Sequence, residues 1–263
     1  MEFSHRTKTV FRNDRIHKGM NEVFAKLKMY GIRRFVMYSA LELYRKVWLE
    51  GILRTFSQNG EDVVIHGLLK NKRNGFYVDI GANDPTRFSN TKYFYLQGWH
   101  GINIEPDLDG FIKIKKGRPN DINLNLGIGK ANSKLIFYQF FPNTLSTFSE
   151  SEAKKYQKQG YKLLTKKVVK VMKLTDVLGK YLKGKKIDFM TIDTEGYDME
   201  VLESNNWSKY RPRVICIESV RHLISGPGKD IGLEVFLINV GYKKLFDNGL
   251  NSFYLDSRIY SKS

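Results

Sequence analysis

The sequence has almost no cysteine and no long apolar run. Cys216 is the single cysteine among 263 residues, so no disulfide can form within the chain, which favours a reducing cytoplasm. No stretch reaches the roughly 18 uninterrupted apolar residues that a membrane span needs, and residues 1–15 lack the apolar segment of a signal peptide. We therefore expect a cytoplasmic protein, either soluble or bound peripherally at a membrane surface.

A glycine-rich dinucleotide loop is also missing. Such a loop has three glycines that let a helix N-terminus hold a pyrophosphate, whereas the apolar run over residues 75–84 contains only Gly81 in its turn. That run ends in Asp79 and Gly81, and a second run ends in Glu105. Two such runs predict parallel strands with a helix between them, with both carboxylates at the carboxyl edge of an open α/β sheet.

The residues at this edge indicate which ligand it would bind. Glu105 can accept hydrogen bonds from a ribose diol, and Gly81 lets a ligand approach the backbone. Asp79 and Asp84 would repel a pyrophosphate, but they suit a ligand that carries an ammonium and a sulfonium cation. This charge pattern favours S-adenosylmethionine over NAD.

Five short segments stand in a specific order and spacing over residues 57 to 220. They are Ser57–Asp62, Gly75–Asn83, Ser89–Thr91, Gly98–Pro106 and Ile187–Tyr197. Together they resemble the FkbM family of S-adenosylmethionine-dependent methyltransferases. The resemblance implies a class I (Rossmann-like) α/β fold, in which a seven-stranded, mostly parallel sheet has an antiparallel last strand and helices on both faces. It also implies methyl transfer to oxygen, most often to a hydroxyl of a sugar or a glycosylated natural product.

Together, the edge pattern and the resemblance give a set of cofactor-binding residues. Gln58 and Glu61 belong to it through the resemblance, with the alternative that they only cap the helix that Ser57 would begin. Leu126, at the end of a third strand expected over residues 122–128, would lie beside the adenine. The full set is Gln58, Glu61, Asp79, Gly81, Ala82, Asn83, Asn90, Glu105, Pro106 and Leu126.

The catalytic candidates follow the fourth and fifth strands. A hydroxyl must lose its proton during methyl transfer, so a base or a metal ion has to assist. Asp193 and Glu195 follow the fourth strand, and His222 is expected on a loop after the fifth; the alternatives are a helix cap for Glu195 and a surface position for His222. Asp193 and Glu218 are the candidate ligands for Mg²⁺ or Mn²⁺.

The chain is expected to have two parts. Residues 1–55 would form a basic arm and an amphipathic helix, and residues 56–263 the methyltransferase domain. Within that domain, the polar stretch 142–165, between strands expected over 134–141 and 166–171, would be an acceptor-binding lid. The basic helix would pack on the domain or on a second copy in a homodimer or, alternatively, lie on an anionic membrane or bind a lipid-linked glycan.

A formal net charge of +17 calls for an acidic partner. Nucleic acid, anionic lipid and phosphate-bearing glycans all fit it, and the alternative is that lysine is simply abundant on the surface. The sequence shows no aromatic platform or binding module of the kind that nucleic-acid enzymes use. The favoured function is O-methylation of a carbohydrate or glycoconjugate acceptor. Two alternatives remain open at this point: an RNA methyltransferase, and a non-catalytic cofactor-binding scaffold whose basic N-terminus binds a membrane or a partner.

Overall fold

A computed structural model describes residues 55–223, 226–229 and 231–260, with the backbone alone for 220–223, 226–229 and 260. These residues belong to one compact unit that begins at Thr55. The basic arm and the amphipathic helix predicted over residues 1–55 lie outside this range, apart from Thr55. Those two expectations therefore stay predictions.

The described chain alternates helices and strands. In order, the elements are α1 (Glu61–Leu68), β1 (Phe76–Ile80), α2 (Lys92–Leu96), β2 (His100–Ile104), α3 (Leu108–Gly117), β3 (Ile122–Leu124), β4 (Gly127–Ile128), β5 (Ser133–Phe141), a 3₁₀ turn (Asn143–Leu145), α4 (Glu150–Lys158), β6 (Lys162–Met172), α5 (Leu174–Tyr181), β7 (Phe189–Ile192), α6 (Asp198–Glu203), β8 (Val214–Glu218), β9 (Val220–Leu223), β10 (Gly226–Lys229), α7 (Ile231–Asn239), β11 (Tyr242–Asp247), β12 (Asn251–Asp256) and α8 (Ser257–Tyr260).

The main sheet has seven strands in the order β11-β12-β8-β7-β1-β2-β3. β12 runs antiparallel to both β8 and β11, and the remaining neighbours are parallel. All five residues of β1 are buried, as expected for a parallel strand that is covered on both faces. The seven-stranded, mostly parallel sheet with an antiparallel last strand is thus confirmed.

Helices cover both faces of this sheet. On one face, Val78 and Ile80 pack with residues of α5, α6 and α7. On the other, Tyr77 packs with Ile65 of α1 and Phe94 of α2. Successive side chains of β1 point to opposite faces, which is why neighbouring residues enter different cores. None of the helices in the described ranges is long and apolar enough to cross a membrane.

Two local predictions need correction. The third strand, expected over 122–128, is split into β3 in the main sheet and β4 in a smaller one. Between them Asn125 donates its side-chain amide to the carbonyl oxygens of Glu105 (2.9 Å) and Pro106 (3.1 Å). Ser57 is not the N-cap of α1, because Gly60 occupies that position. Its hydroxyl nevertheless accepts the amide hydrogen of Asp62 at 2.9 Å.

A second sheet, with the strand order β4-β6-β5, lies beside the main one. β6 begins at Lys162, four residues before its predicted start. Within the stretch 142–165 the chain forms the 3₁₀ turn, helix α4 and the start of β6. Tyr156 of α4 packs with Phe140 of β5 in a small separate core. Aromatic and alanine side chains, spaced within a largely polar segment, therefore fix this insertion on β5.

Candidate functional site

The ends of β1 and β7 meet at Gly81. This residue has φ +83°, and a Cβ there would lie 1.8 Å from the carbonyl oxygen of Asp193. The amides of Gly81 and Ala82 both donate to the carbonyl of Ile104, at 3.0 and 3.2 Å. Glycine is required here because the end of β7 leaves no room for a side chain, a reason that the isolated sequence does not show. The contact brings the strand ends that carry Asp79, Glu105 and Asp193 to one edge of the sheet.

Glu105 holds the backbone on both sides of this edge. Its carboxylate accepts the amide hydrogens of Asn83 and Asp107, each at 2.7 Å. Burial raises the pKa of Glu105 to about 8, even though these two hydrogen bonds oppose the rise. Each carboxylate oxygen can accept a further hydrogen bond. The contact with a ribose diol stays a prediction.

Asp79 faces the interior of the protein. It is buried, and the Thr91 hydroxyl donates to its carboxylate at 2.6 Å. Burial raises the pKa of Asp79 to about 6, and the Thr91 hydrogen bond and the nearby Arg118 lower it in part. In this structure Asp79 supports the loop between β1 and α2, and its contact with a bound ligand stays a prediction.

Arg118 was missed by the sequence analysis. It is fully buried, and its guanidinium donates to the carbonyl of Pro85 and to the hydroxyls of Ser89, Thr91 and Tyr77, at 2.7 to 3.2 Å. The residue thus ties down the loop that carries Asn83 and Asn90. The segment around Arg118 reads as a polar turn, and nothing in it marks this arginine as buried.

Two asparagines of the predicted cofactor site join separate elements. Asn83 has φ +49°, and its side-chain oxygen accepts a hydrogen bond from Asn143 of the insertion at 2.5 Å. Asn90 donates its side-chain amide to the hydroxyl of Thr191 on β7 at 2.9 Å. The loop after β1 is therefore fastened to the insertion on one side and to the central strand on the other.

The other predicted cofactor residues lie in different environments. Gln58 is exposed, Pro106 is half-buried, and Ala82 and Leu126 are buried, with Leu126 in the main core. Glu61 is fully buried, and its carboxylate accepts hydrogen bonds from the side chains of Asn248 (2.8 Å) and Asn251 (2.9 Å). Glu61 therefore binds the turn between β11 and β12, and a contact with a cofactor would require those bonds to change.

Three carboxylates gather where β7 and β8 end. Asp193 is exposed to solvent, and Glu195 and Glu218 are half-buried. The surrounding protein nevertheless desolvates these groups and raises all three pKa values, and repulsion from Asp198 raises them further. Repulsion from Asp193 also raises the pKa values of Glu195 and Glu218. None of the three forms an ion pair with a cation of the described residues. The result is a site with excess negative charge and access to solvent.

The insertion contacts the loop that carries two of these acids. The Tyr156 hydroxyl donates to Oε2 of Glu195 at 3.1 Å, and the Thr147 hydroxyl donates to the Glu195 carbonyl at 2.8 Å. The backbone of Glu195 is left-handed, with φ +54°, a conformation that costs energy for a residue with a side chain. The predicted lid thus lies against the catalytic candidates, although its function as a lid stays a prediction.

The prediction for His222 was partly wrong. The residue lies within β9, where its backbone pairs with Pro227 of β10, and not on a loop. A glycine-proline-glycine sequence favours a loop, but here it forms the second strand of a hairpin. The side chain of His222 is outside the described part of the structure, so its catalytic role stays a prediction.

The metal prediction finds no support. Asp193 and Glu218 approach the same edge, but nowhere in residues 55–223, 226–229 and 231–260 do three His, Cys, Asp or Glu side chains converge as metal ligands would. Mg²⁺ commonly binds through one or two carboxylates and several waters. The described residues offer Asp193 and Glu218 without a third protein ligand.

Comparison with solved structures gave weak similarities. The chain is 14% identical to the METTL16 MTase domain, covering 74% of this chain and 64% of that one, with a TM-score of 0.40. For a TehB-like SAM-dependent methyltransferase from Corynebacterium glutamicum, the identity is 11%, the coverage 83% and 98%, and the TM-score 0.40. For precorrin-6y C5,15-methyltransferase from Geobacter metallireducens, the identity is 10%, the match covers 74% of this chain and 85% of that one, and the TM-score is 0.34.

Family membership comes from the sequence profile. No curated protein matches the chain. The methyltransferase FkbM domain matches residues 79–243, which is more than half of the sequence and includes Asp79, Gly81, Glu105, Asp193 and Glu195. S-adenosylmethionine is the methyl donor that this family implies. On this match, together with the seven-stranded sheet and the carboxylates at its edge, the chain belongs to the FkbM family of methyltransferases.

Proposed function

We propose that the protein transfers a methyl group from S-adenosylmethionine to a hydroxyl of a sugar or glycan. The observation that carries this proposal is the group of carboxylates formed by Asp193, Glu195 and Glu218. They lie at the carboxyl edge of the sheet with raised pKa values and no cation partner among the described residues.

The cofactor fits the charge of this edge. Uncompensated carboxylates in a desolvated site attract a cation strongly, and the sulfonium of S-adenosylmethionine is a cation. Glu105 would accept hydrogen bonds from its ribose, and Gly81 and Asn83 would line its amino acid portion. When bound, S-adenosylmethionine supplies an electrophilic methyl group.

A residue of the chain then removes the proton of the acceptor hydroxyl. As the acceptor oxygen bonds to the methyl carbon, the carbon–sulfur bond breaks and the electron pair of that bond stays on sulfur. The hydroxyl proton passes to the carboxylate of Asp193, which later releases it to water. A carboxylate whose pKa is raised toward neutrality is a stronger base than an ordinary aspartate and is still ionised at neutral or slightly alkaline pH.

Polar side chains near this carboxylate support a hydroxyl-rich acceptor. Tyr156 and Thr147 from the insertion reach the loop that carries Glu195. Glu152 lies close to Gly196: a Cβ added at Gly196 would be 2.7 Å from the Cγ of Glu152. Hydroxyl and carboxylate groups arranged in this way suit the hydrogen-bonding groups of a sugar. No step of the proposed reaction passes through a metal ion.

The acceptor class can be tested directly. The protein would be incubated with S-adenosylmethionine carrying a ¹³C-methyl group, together with a glycan extract of its own host. The products would be examined by NMR and mass spectrometry, with Asp193→Asn as the matched control. We expect a labelled methyl ether on a sugar with the wild-type protein only. Label found in RNA alone, or an equal amount of label with both proteins, would refute the proposal.

A further inference from the structure

One face of the small sheet alternates lysine with exposed aliphatic side chains. In β6 the side chains at 166, 168 and 170 share a face, because successive residues of a strand point to opposite sides, and all three are exposed. A β-bulge before Thr165, opposite Gln139 and Phe140, ends this alternation. Residues 134 and 136 of the neighbouring β5 lie opposite 170 and 168. We define the lysine-striped face as Lys134, Ile136, Lys166, Val168 and Lys170.

The aliphatic side chains of this face are unusually open to solvent. Val168 is 70% exposed and Ile136 46%. Ile136 and Val168 are direct cross-strand partners, so they form one apolar ridge. Removal of apolar side chains from water is favourable, so apolar side chains grouped on a surface favour contact with a partner that covers them.

The lysines of this face repel one another. Lys134 and Lys170 are direct cross-strand partners, and like charges in this position destabilise a sheet. Neither forms an ion pair with an acidic residue of the described chain. Lys166 lies 5.3 Å from the ring centre of Tyr138, and it helps to lower the pKa of the exposed Glu150. An anionic partner would relieve this repulsion.

The chemistry of the face selects among anionic partners. Proteins usually bind nucleic acid through arginine and through exposed aromatic rings on which bases stack. The lysine-striped face has neither. A soluble glycan would leave the ridge of Ile136 and Val168 in contact with a polar ligand. An anionic bilayer satisfies both components, because its headgroups attract lysine and its acyl boundary accepts aliphatic side chains.

A second copy of the chain is a poorer partner. Within the described residues β6 pairs with β4 only at Val171 and Met172, so the rest of that edge is open. Lysines along an open edge oppose strand pairing between identical chains, since each copy would present the same positive stripe. We propose that the lysine-striped face docks on an anionic lipid bilayer.

This proposal is independent of the acceptor and of the proposed reaction. It concerns where the protein is held, and its test measures binding alone. The basic segment before residue 55 is present in every variant compared, so its contribution to binding is common to all of them.

The test is co-sedimentation of the full chain with vesicles. Phosphatidylcholine vesicles with about one third phosphatidylglycerol would be compared with pure phosphatidylcholine. The triple variant Lys134→Glu/Lys166→Glu/Lys170→Glu should reduce the partition coefficient for anionic vesicles by at least about tenfold, because each lysine near such a surface contributes measurably. The matched control Lys113→Glu/Lys116→Glu/Lys186→Glu changes exposed lysines elsewhere by the same charge, and it should keep most of the binding.

A second variant separates lipid from other polyanions. Ile136→Ser/Val168→Ser keeps the charge, and it should weaken vesicle binding several-fold while leaving any binding to polyuridylic acid unchanged. Circular dichroism would confirm that each variant is folded. Equal vesicle binding by the two triple variants would overturn the proposal. So would wild-type protein that binds polyuridylic acid through these lysines and ignores the anionic vesicles.

Discussion

Tyr156 donates its phenolic hydrogen to Oε2 of Glu195 over 3.1 Å. Burial raises the pKa of this tyrosine, so the hydroxyl stays protonated at neutral pH and acts as the donor. The hydrogen bond joins helix α4 of the insertion to the loop that follows the central strand β7. It also sets the ionisation of Glu195, because a donor to the ionised carboxylate lowers the pKa that burial and Asp193 raise.

Tyr156→Phe tests this coupling. The variant keeps the ring that packs against Phe140 and removes only the donor. We expect the pKa of Glu195 to rise further and the free energy of unfolding to fall by about 1 kcal/mol. The first is measured by NMR titration of the Glu195 carboxyl carbon, and the second by urea denaturation.

Tyr161→Phe is the matched control. Its ring lies 6.1 Å from that of Tyr156, and its hydroxyl forms no hydrogen bond within the described chain. The titration of Glu195 should be the same in this variant as in the wild type. If Tyr156→Phe also leaves the titration unchanged, the hydrogen bond does not control the ionisation of Glu195.

Gly81→Ala should be far more damaging than the same change at Gly98. Both glycines have a positive φ, but a Cβ at Gly98 would meet nothing within 4 Å, whereas one at Gly81 would meet the Asp193 carbonyl. The left-handed backbone alone costs about 1 kcal/mol for alanine, which is the expected loss for Gly98→Ala. Gly81→Ala should lose several times that, measured by thermal or urea denaturation, and equal losses would show that the ends of β1 and β7 are not in close contact.

The stability of the protein should fall as the pH rises toward 8. Burial raises the pKa of Glu105 from its ordinary value near 4.5 to about 8. Between those two values the folded state binds a proton that the unfolded state has released, so the stabilising contribution is full below pH 4.5 and is lost as pH rises through 8. Asp79, with its pKa raised to about 6, acts in the same direction.

Glu105→Gln isolates the contribution of this residue. The amide cannot ionise, so unfolding free energies measured from about pH 5 to 8 should depend less steeply on pH than those of the wild type. The exposed Glu150→Gln change serves as the control and should leave the wild-type slope in this range. An equally steep dependence in Glu105→Gln would place the titrating group elsewhere.

The charge of the carboxylate group predicts a difference between two nearly identical ligands. S-adenosylmethionine and S-adenosylhomocysteine share the adenosine and amino acid portions, but only the first has a sulfonium cation. Asp193, whose pKa burial raises to about 7, ionises as pH rises from about 5 to 8, and calorimetry should show the affinity for S-adenosylmethionine increasing more than that for S-adenosylhomocysteine. Parallel changes for the two ligands would mean that the carboxylates lie away from the sulfur.

The sequence was sufficient for the strands and for most of the edge residues. Buried apolar runs ending in Asp79, Glu105 and Asp193 place these residues at strand ends, because a parallel sheet buries both faces of its strands. Contacts between distant segments were beyond this reasoning. The burial of Arg118 and the hydrogen bond of Tyr156 to Glu195 depend on how separate elements pack, which no local pattern records.

His222 shows the opposite case, in which a local pattern misled. The residues that follow it, Gly226 and Pro227 among them, are typical of a loop, yet they form a strand that pairs with β9. Pairing between these two consecutive strands overrides the preference of the individual residues here. For the polar stretch that contains α4 the sequence predicted a lid and no helix, because Ala153 and Tyr156 give too short an apolar pattern to indicate one.

The most direct test of the account is the rate of methyl transfer by Asp193→Asn. The rate would be measured in single turnovers with saturating S-adenosylmethionine, the sugar acceptor identified by the labelling experiment, and EDTA. The change keeps the shape of the side chain and removes its ability to accept a proton. We predict a rate about 10²- to 10⁴-fold below that of the wild type, with Asp109→Asn at the wild-type rate. A rate near that of the wild type in Asp193→Asn would contradict the account.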